Sequence, residues 1–400
     1  RGNFRYFLKI KIILAATISG LMIVLSGHIA ALFQNQSLAL PLMLSGFIVV
    51  FVSLTGILNG FFAGMQEFKF VFLKQTVYEF SRWIFIIPLS LLFLSAGAVA
   101  GIALAYLATF LLLLSIILKN YRKYIFGEAL PRDEKAQAFV GFMTIAGISG
   151  IIYAYVDSLM IGYFIGTTEV GYYRAAYTIV FAIVGFLGMA DVLFPVFTQL
   201  GGNDLSNAIN RLARYTSAIA FPAAVGLTFL SKKIITGVYG VEYIPGALPL
   251  AILSFVLIPA SFNYLLTVFN AKEIPEYSAY LITASMLLNV LLNYILINLY
   301  GIGGAAFATL ISRVFVVSFA IFLLYRVLKL RIKIKVVVKP ALCSMMMLGA
   351  LLLLPEPTSL IAGVAEVTFG AIFYFILLFA LKGLTAEDVR YIAVSLGVRR

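Results

Sequence analysis

The sequence holds 400 residues, 63% of them hydrophobic and only 11% charged, with a mean hydropathy of +1.07, where a soluble domain carries roughly 25% charged residues. Such a chain is a polytopic membrane protein with no soluble domain, and its net charge of +13 is a matter of membrane topology before it is a reason to invoke nucleic acid. The single cysteine, Cys343, and the single histidine, His28, exclude a disulfide framework and a Cys/His metal cluster, and no cofactor is expected.

In chain order, apolar windows long enough to cross ~30 Å of hydrocarbon fall at 12–33, 38–63, 72–96, 98–118, 138–164, 170–197, 215–237, 246–270, 276–299, 302–325, 337–354 and 358–381. The fold class is therefore all-α, with about twelve transmembrane helices, and the long polar connections are 119–137, 199–214 and 326–336. With the even-numbered connections and both ends placed inside, 24 of the 29 Lys and Arg residues lie there. Only Arg174, Lys232 and Lys233 fall outside, and Arg82 and Arg313 sit within helices. The positive-inside rule then puts the protein in the cell membrane with both termini cytoplasmic, and contact with anionic membrane lipids is a secondary reading. In the tail, Thr385 is a candidate N-cap completed by Asp388, opening an amphipathic helix expected to adhere to the inner leaflet.

An internal repeat is expected. Val99-Ala100-Gly101-Ile102-Ala103-Leu104-Ala105 opens one helix and Ile302-Gly303-Gly304-Ala305-Ala306-Phe307-Ala308 another, at an offset of 203 that also lays Lys69 on Lys272. The fifth and sixth helices shifted back by that offset fall before residue 1, so two N-terminal helices are expected to be missing from a two-lobed unit. The expected division is an N-terminal lobe over 1–118, a cytoplasmic linker over 119–137, a C-terminal lobe over 138–330, an extra helix pair over 331–382 and a tail over 383–400.

The stretches VDSLMIGYFIGTTEVGYYRAA, NLYGIGGAAFATLIS and GILNGFFAGMQEFKF resemble the polysaccharide-export branch of the MOP superfamily, the flippases for lipid-linked oligosaccharides, which are related to O-antigen and lipid II flippases. The likeness runs from about residue 10 to 330. It implies a two-lobed bundle that carries a polyprenyl-linked sugar across the membrane by alternating access, with a lipid-linked oligosaccharide as partner. Lipid II flippases use arginines of their first, second and eighth helices; Arg174 opens the helix that matches the eighth, and the other two have no counterpart here.

Charged residues inside the apolar windows are the candidate machinery, since each costs at least ~2.5 kcal/mol in hydrocarbon unless paired or wet. Arg313 lies near the middle of its helix and is either an anion site for the lipid-linked phosphate or a structural partner of a neighbouring helix. Asp157 precedes the turn Gly166-Thr167-Thr168-Glu169 and Arg174 follows it at similar depth. The two either pair across the hairpin, or Arg174 holds the head group while Asp157 takes a coupling proton or sodium ion. Glu79 and Arg82, three apart on one face, read mainly as a structural pair, with Arg82 a further head-group candidate and Glu79 a further ion candidate. Asp191, four residues before Pro195, is an ion relay or a helix-end contact, and Gly147 and Gly150 are candidate gating positions. A cation-coupled multidrug exporter of the same superfamily is the alternative function, favouring acidic rather than basic sites. A membrane-embedded glycosyltransferase would need larger, more acidic outer loops than these.

Overall fold

The computed structural model describes residues 2–122, 134–187, 190–354, 360–385 and 388, and every regular element among them is helical. In order these are α1 (Gly2–Leu32), α2 (Ala39–Gly64), α3 (Phe68–Asn120), α4 (Glu134–Phe164), α5 (Thr167–Leu187), α6 (Ala190–Gln199), α7 (Gly202–Phe229), α8 (Ser231–Tyr239), α9 (Ala247–Ser254), α10 (Leu257–Ala260), α11 (Tyr264–Ala271), α12 (Pro275–Leu328), α13 (Lys335–Leu352) and α14 (Leu360–Ala380). The chain divides into two compact units, Arg1–Ala138 and Phe139–Arg400. Among the described residues six helices are long and apolar enough to cross a membrane, and eight spans result if α7 with α8, bent by 74°, and the run over 241–271, bent by 44°, each count as one. Apolar side chains cover the helix exteriors: Leu91 is 79% exposed and Leu353 87%, as suits a lipid-facing surface.

The two longest helices account for four of the expected windows. At 53 and 54 residues, α3 and α12 would each extend ~80 Å if straight, more than twice the hydrocarbon thickness. Each instead breaks at a left-handed residue, Leu94 (φ 51°) in α3 and Gly301 (φ 59°) in α12. The arms fold back on themselves. In α3 the rings of Tyr78 and Tyr106 lie 4.3 Å apart, and in α12 the Ser285 hydroxyl donates to the Ser312 carbonyl at 3.0 Å across 27 residues.

These breaks also fix the internal repeat. The positive-φ residues Gln66 and Glu273 end equivalent turns, Leu94 and Gly301 occupy equivalent breaks, and Gly97 and Gly304 stand where a Cβ would run into the carbonyls of Leu89 and Leu296. Aromatic contacts repeat as well, Phe62 with Phe70 at 4.8 Å and Phe269 with Tyr277 at 5.9 Å. All these positions share an offset of 207, one helical turn longer than the 203 expected from sequence, so Lys69 is not the equivalent of Lys272. The reason is physical. Small residues recur about every turn where two helices touch closely, so the two segments match almost as well when slid by four, and only the backbone breaks settle the register.

The core that carries the candidate site lies in the second unit, where Ile161 of α4, Tyr173 and Ala176 of α5, Leu250 and Leu253 of α9 and Ala305 and Ala306 of α12 are buried together. A further cluster joins α7, α13 and α14 through Ala218, Cys343, Met347 and Tyr374, with the Tyr374 hydroxyl donating to the Ala218 carbonyl at 2.9 Å.

Candidate substrate and ion site

The hairpin of α4 and α5 is set by its turn. Gly166 has φ 156°, a backbone conformation that favours glycine, and the Glu169 carboxylate, in the first turn of α5, approaches to 2.9 Å of the position a Cβ would take there. The hairpin brings Tyr173 opposite Asp157. The doubled-back α12 contributes from both arms: Asn289 and Asn293, one turn apart, from the first, and Thr309 from the second.

Asp157 is 2% exposed, and its carboxylate is surrounded by donors. Oδ2 accepts from the Tyr173 hydroxyl at 2.6 Å and the Thr309 hydroxyl at 2.5 Å, and Oδ1 accepts from the Asn293 amide at 2.5 Å. The same amide reaches Asn289 Oδ1 at 3.1 Å, and the Tyr153 hydroxyl donates to the Thr309 carbonyl at 3.1 Å. Asn293 Oδ1 and Asn289 Nδ2 are buried in this network without hydrogen-bond partners. Three neutral donors thus occupy most of the roughly four acceptor sites of the carboxylate without a counter-cation.

The pairing of Asp157 with Arg174 across the hairpin does not occur. Asp157 is turned to α12, whereas the Arg174 guanidinium lies along α4, with Nη1 3.5 Å from the Ala154 carbonyl and the group over the rings of Tyr155 and Tyr177 at 5.4 and 4.6 Å. Arg313 joins it through a shared aromatic ladder. Tyr177 stacks on Phe181 with centroids 3.8 Å apart and planes 8° from parallel, and the Arg313 guanidinium sits 5.7 Å from Phe181 and 4.4 Å from Tyr153. Arg313 Nε is buried with no hydrogen-bond partner, and among the described residues neither arginine forms an ion pair with a carboxylate. Two guanidiniums and one carboxylate thus gather on Tyr153, Tyr173, Tyr177 and Phe181. The cations are held by ring faces and the anion by hydroxyls and an amide.

Glu79 and Arg82, in the first unit, form an ion pair at 2.7 Å with side chains 39% and 34% exposed, and Gln75 donates to Glu79 at 3.1 Å. The Asp191 side chain lies outside the described residues. α4 runs through Gly147 and Gly150 without a break, and a Cβ added at either would meet no atom within 4 Å. Sequence reasoning missed Tyr173, Asn289, Asn293 and Thr309. The available signal was the pair Asn289 and Asn293, spaced one turn apart in an apolar helix and therefore on one face. Among the described residues no group of three or more His, Cys, Asp or Glu side chains could hold a metal ion.

Comparison with known proteins bears on the family and the fold. A family model described as polysaccharide biosynthesis protein matches residues 5–201. The probable low-salt glycan biosynthesis flippase Agl15 of Haloferax volcanii is 28% identical over 177 residues, which is 43% of this chain and 38% of that protein. The probable flippase AglR of the same organism is 25% identical over 170 residues, 40% of this chain and 35% of that protein. The chain thus spans well under half the length of these relatives. The solved structure of the lipid II flippase MurJ in an inward closed conformation superposes with a TM-score of 0.72 over 91% of this chain and 80% of that one, at 18% identity, so the two share a fold. Residues 5–201 thus match the polysaccharide biosynthesis protein family model, and the chain shares the fold of the lipid II flippase structure.

Proposed function

We propose that the protein translocates a polyprenyl-linked oligosaccharide across the cell membrane by alternating access, making and breaking no covalent bond, and that both termini face the cytoplasm. The observation that carries this reading is the pair Arg174 and Arg313 on one aromatic ladder, without a carboxylate partner. An arginine deep in a membrane hairpin costs at least ~2.5 kcal/mol, and an aromatic face returns only ~0.5–2 kcal/mol. The unpartnered Arg313 Nε leaves a donor on a planar guanidinium fork, which suits two oxygens of the phosphate that such a lipid carries beside its sugar. The named functions of the flippase relatives point the same way. A multidrug exporter selecting cations would be poorly served by two unpaired guanidiniums.

Asp157 is the candidate coupling residue, because it is buried without a cation and lies beside the partnerless amide atoms of Asn289 and Asn293. The test is transport of a fluorescent polyprenyl-pyrophosphate oligosaccharide by protein reconstituted in vesicles. Arg313→Gln and Arg174→Gln should each slow it by about 10–100-fold, the loss of one hydrogen bond to a charged group at ~1.5–3 kcal/mol. Asp157→Asn should abolish its response to an imposed proton or sodium gradient. Undiminished transport in both arginine variants, or efflux of cationic drugs in its place, overturns the reading.

A further inference from the structure

A second site lies where α7 bends by 74° into α8. A bend that large turns α8 out of the spanning direction and toward the membrane plane, with Lys232 and Lys233 exposed in its first turn and Val238 exposed further along, as in helices that border the head groups. From this bend an apolar groove of about 410 Å³ runs between α7, α13 and α14, lined by Pro222, Gly226, Leu230, Met347 and Gly370 among others. Its lining positions extend along α7 from Ile219 to Leu230, ~16 Å at 1.5 Å per residue, about the hydrocarbon depth of one leaflet. A Cβ at Gly226 would meet no atom within 4 Å, so the groove is open there. Glu366 of α14 stands one turn before Gly370, with its side chain 6% exposed. Lys233 Nζ lies 3.8 Å from Glu366 Oε2, beyond hydrogen-bonding distance, and Oε2 is buried with no hydrogen-bond partner.

We infer that this is a binding site for a zwitterionic phospholipid with a primary ammonium, of the phosphatidylethanolamine type, whose acyl chain fills the groove and whose head group enters between Lys233 and Glu366. The charges at the groove end select this occupant. The ammonium donates to the Glu366 carboxylate, which lacks a donor, while the phosphate accepts from Lys233 and from its exposed neighbour Lys232. One loose ion pair is thereby exchanged for two charge-assisted contacts. An acidic phospholipid or a polyprenyl phosphate would draw Lys233 away and leave Glu366 buried beside a like charge, which is costly. A choline head group has no N–H to offer. The site shares no residue with the ladder of Arg174 and Arg313, and so does not depend on the proposed transport reaction.

The test titrates the whole protein in neutral detergent with four probes, phosphatidylethanolamine, phosphatidylcholine, phosphatidylglycerol and a polyprenyl phosphate, and reads bound lipid by native mass spectrometry. Phosphatidylethanolamine should bind about tenfold more tightly than each of the others, the scale of one hydrogen bond to a charged group. Glu366→Gln should remove that preference and leave phosphatidylcholine binding unchanged. Gly226→Leu, which fills the groove away from the charged pair, should weaken phosphatidylethanolamine by about tenfold, and thermal midpoints check that both variants are folded. If phosphatidylethanolamine binds the parent no more tightly than phosphatidylcholine, or if its preference survives Glu366→Gln in folded protein, Glu366 and Lys233 are a helix-pairing contact and the inference fails. If the polyprenyl phosphate binds most tightly and Gly226→Leu releases it, the groove seats the transported lipid. That result overturns the phospholipid site and leaves the transport reading standing.

Discussion

At the scale of single residues, the Asp157 network makes demands that measurement can meet. The Tyr173 and Thr309 hydroxyls share one carboxylate oxygen at 2.6 and 2.5 Å, in a site closed to water. Removing either leaves a buried acceptor short of a donor, a loss of about 1–3 kcal/mol. Tyr173→Phe and Thr309→Val should therefore each lower the thermal midpoint in detergent, and because they act on one atom their effects should couple by ~0.5 kcal/mol or more. A strictly additive double variant would show that the hydroxyls do not act together. The charges of this site were legible in the sequence, because Asp157, Arg174 and Arg313 stand out in apolar windows, where ionised groups are rare. Their partners were not. Tyrosine and threonine are ordinary in membrane helices, and nothing local says that Thr309 meets a residue 152 positions earlier. The choice between an ion pair and separate cradles depended on which face of α4 each side chain takes, which spacing alone does not determine.

Helices and their breaks form the next scale, and the repeat offers a natural comparison. Leu94 and Gly301 occupy equivalent breaks with φ 51° and 59° and ψ −130° and −140°, a backbone region that glycine enters freely and a leucine enters under strain. Leu94→Gly should raise stability by about 1 kcal/mol, the relief of strain exceeding the added freedom of the unfolded chain, while Gly301→Ala should lower it by about as much. Thermal unfolding checks both, and equal shifts of one sign would count against the equivalence. The tail gives a pH prediction. Burial pushes the Asp388 carboxyl up, but the hydrogen bonds from Thr385 and the Arg214 guanidinium outweigh it and hold the group below the usual aspartate range. A depressed carboxyl stabilises above its unfolded value and loses that contribution as pH falls through the folded one. The clasp of Thr385 and Arg214 on Asp388 should thus persist at neutral pH and open only below the usual aspartate range, read as faster amide exchange near Thr385 after correction for intrinsic rates. The capping pattern behind it was legible, since Asp388 and Thr385 bond reciprocally as their spacing suggests. The grip of Arg214 was not, because it joins the tail to a helix 174 residues earlier.

Over the whole molecule, the apolar windows were legible almost throughout, because hydrocarbon thickness dictates their length. What the windows concealed was that α3 and α12 are continuous but for a single break each, and that the run over 241–271 is split into short pieces. Sidedness rests on a different physical argument. Each hairpin reverses direction, so within the first unit the turn at Gln66 and the break at Leu94 lie at opposite ends of their helices, as the turn at Glu273 and the break at Gly301 do within the second. Under the positive-inside rule, the clustering of 24 of the 29 basic residues in alternate connections and at the chain ends supports the proposal that these connections and both ends face the cytoplasm. Single cysteines read this out in a Cys343→Ser background, which removes the one native thiol, itself buried. Asn203→Cys and Lys335→Cys, at exposed positions of the polar connections 199–214 and 326–336, should resist a membrane-impermeant maleimide in intact cells and react once the membrane is opened. Gln36→Cys and Glu242→Cys, exposed at the opposite ends of the helices, should react in intact cells. The reverse pattern would invert the protein and place Arg211, Arg214 and Lys333 outside. A mixed pattern would break the alternation of α1 to α3 or of the elements between α6 and α13, and with it the equivalence of the two doubled helices.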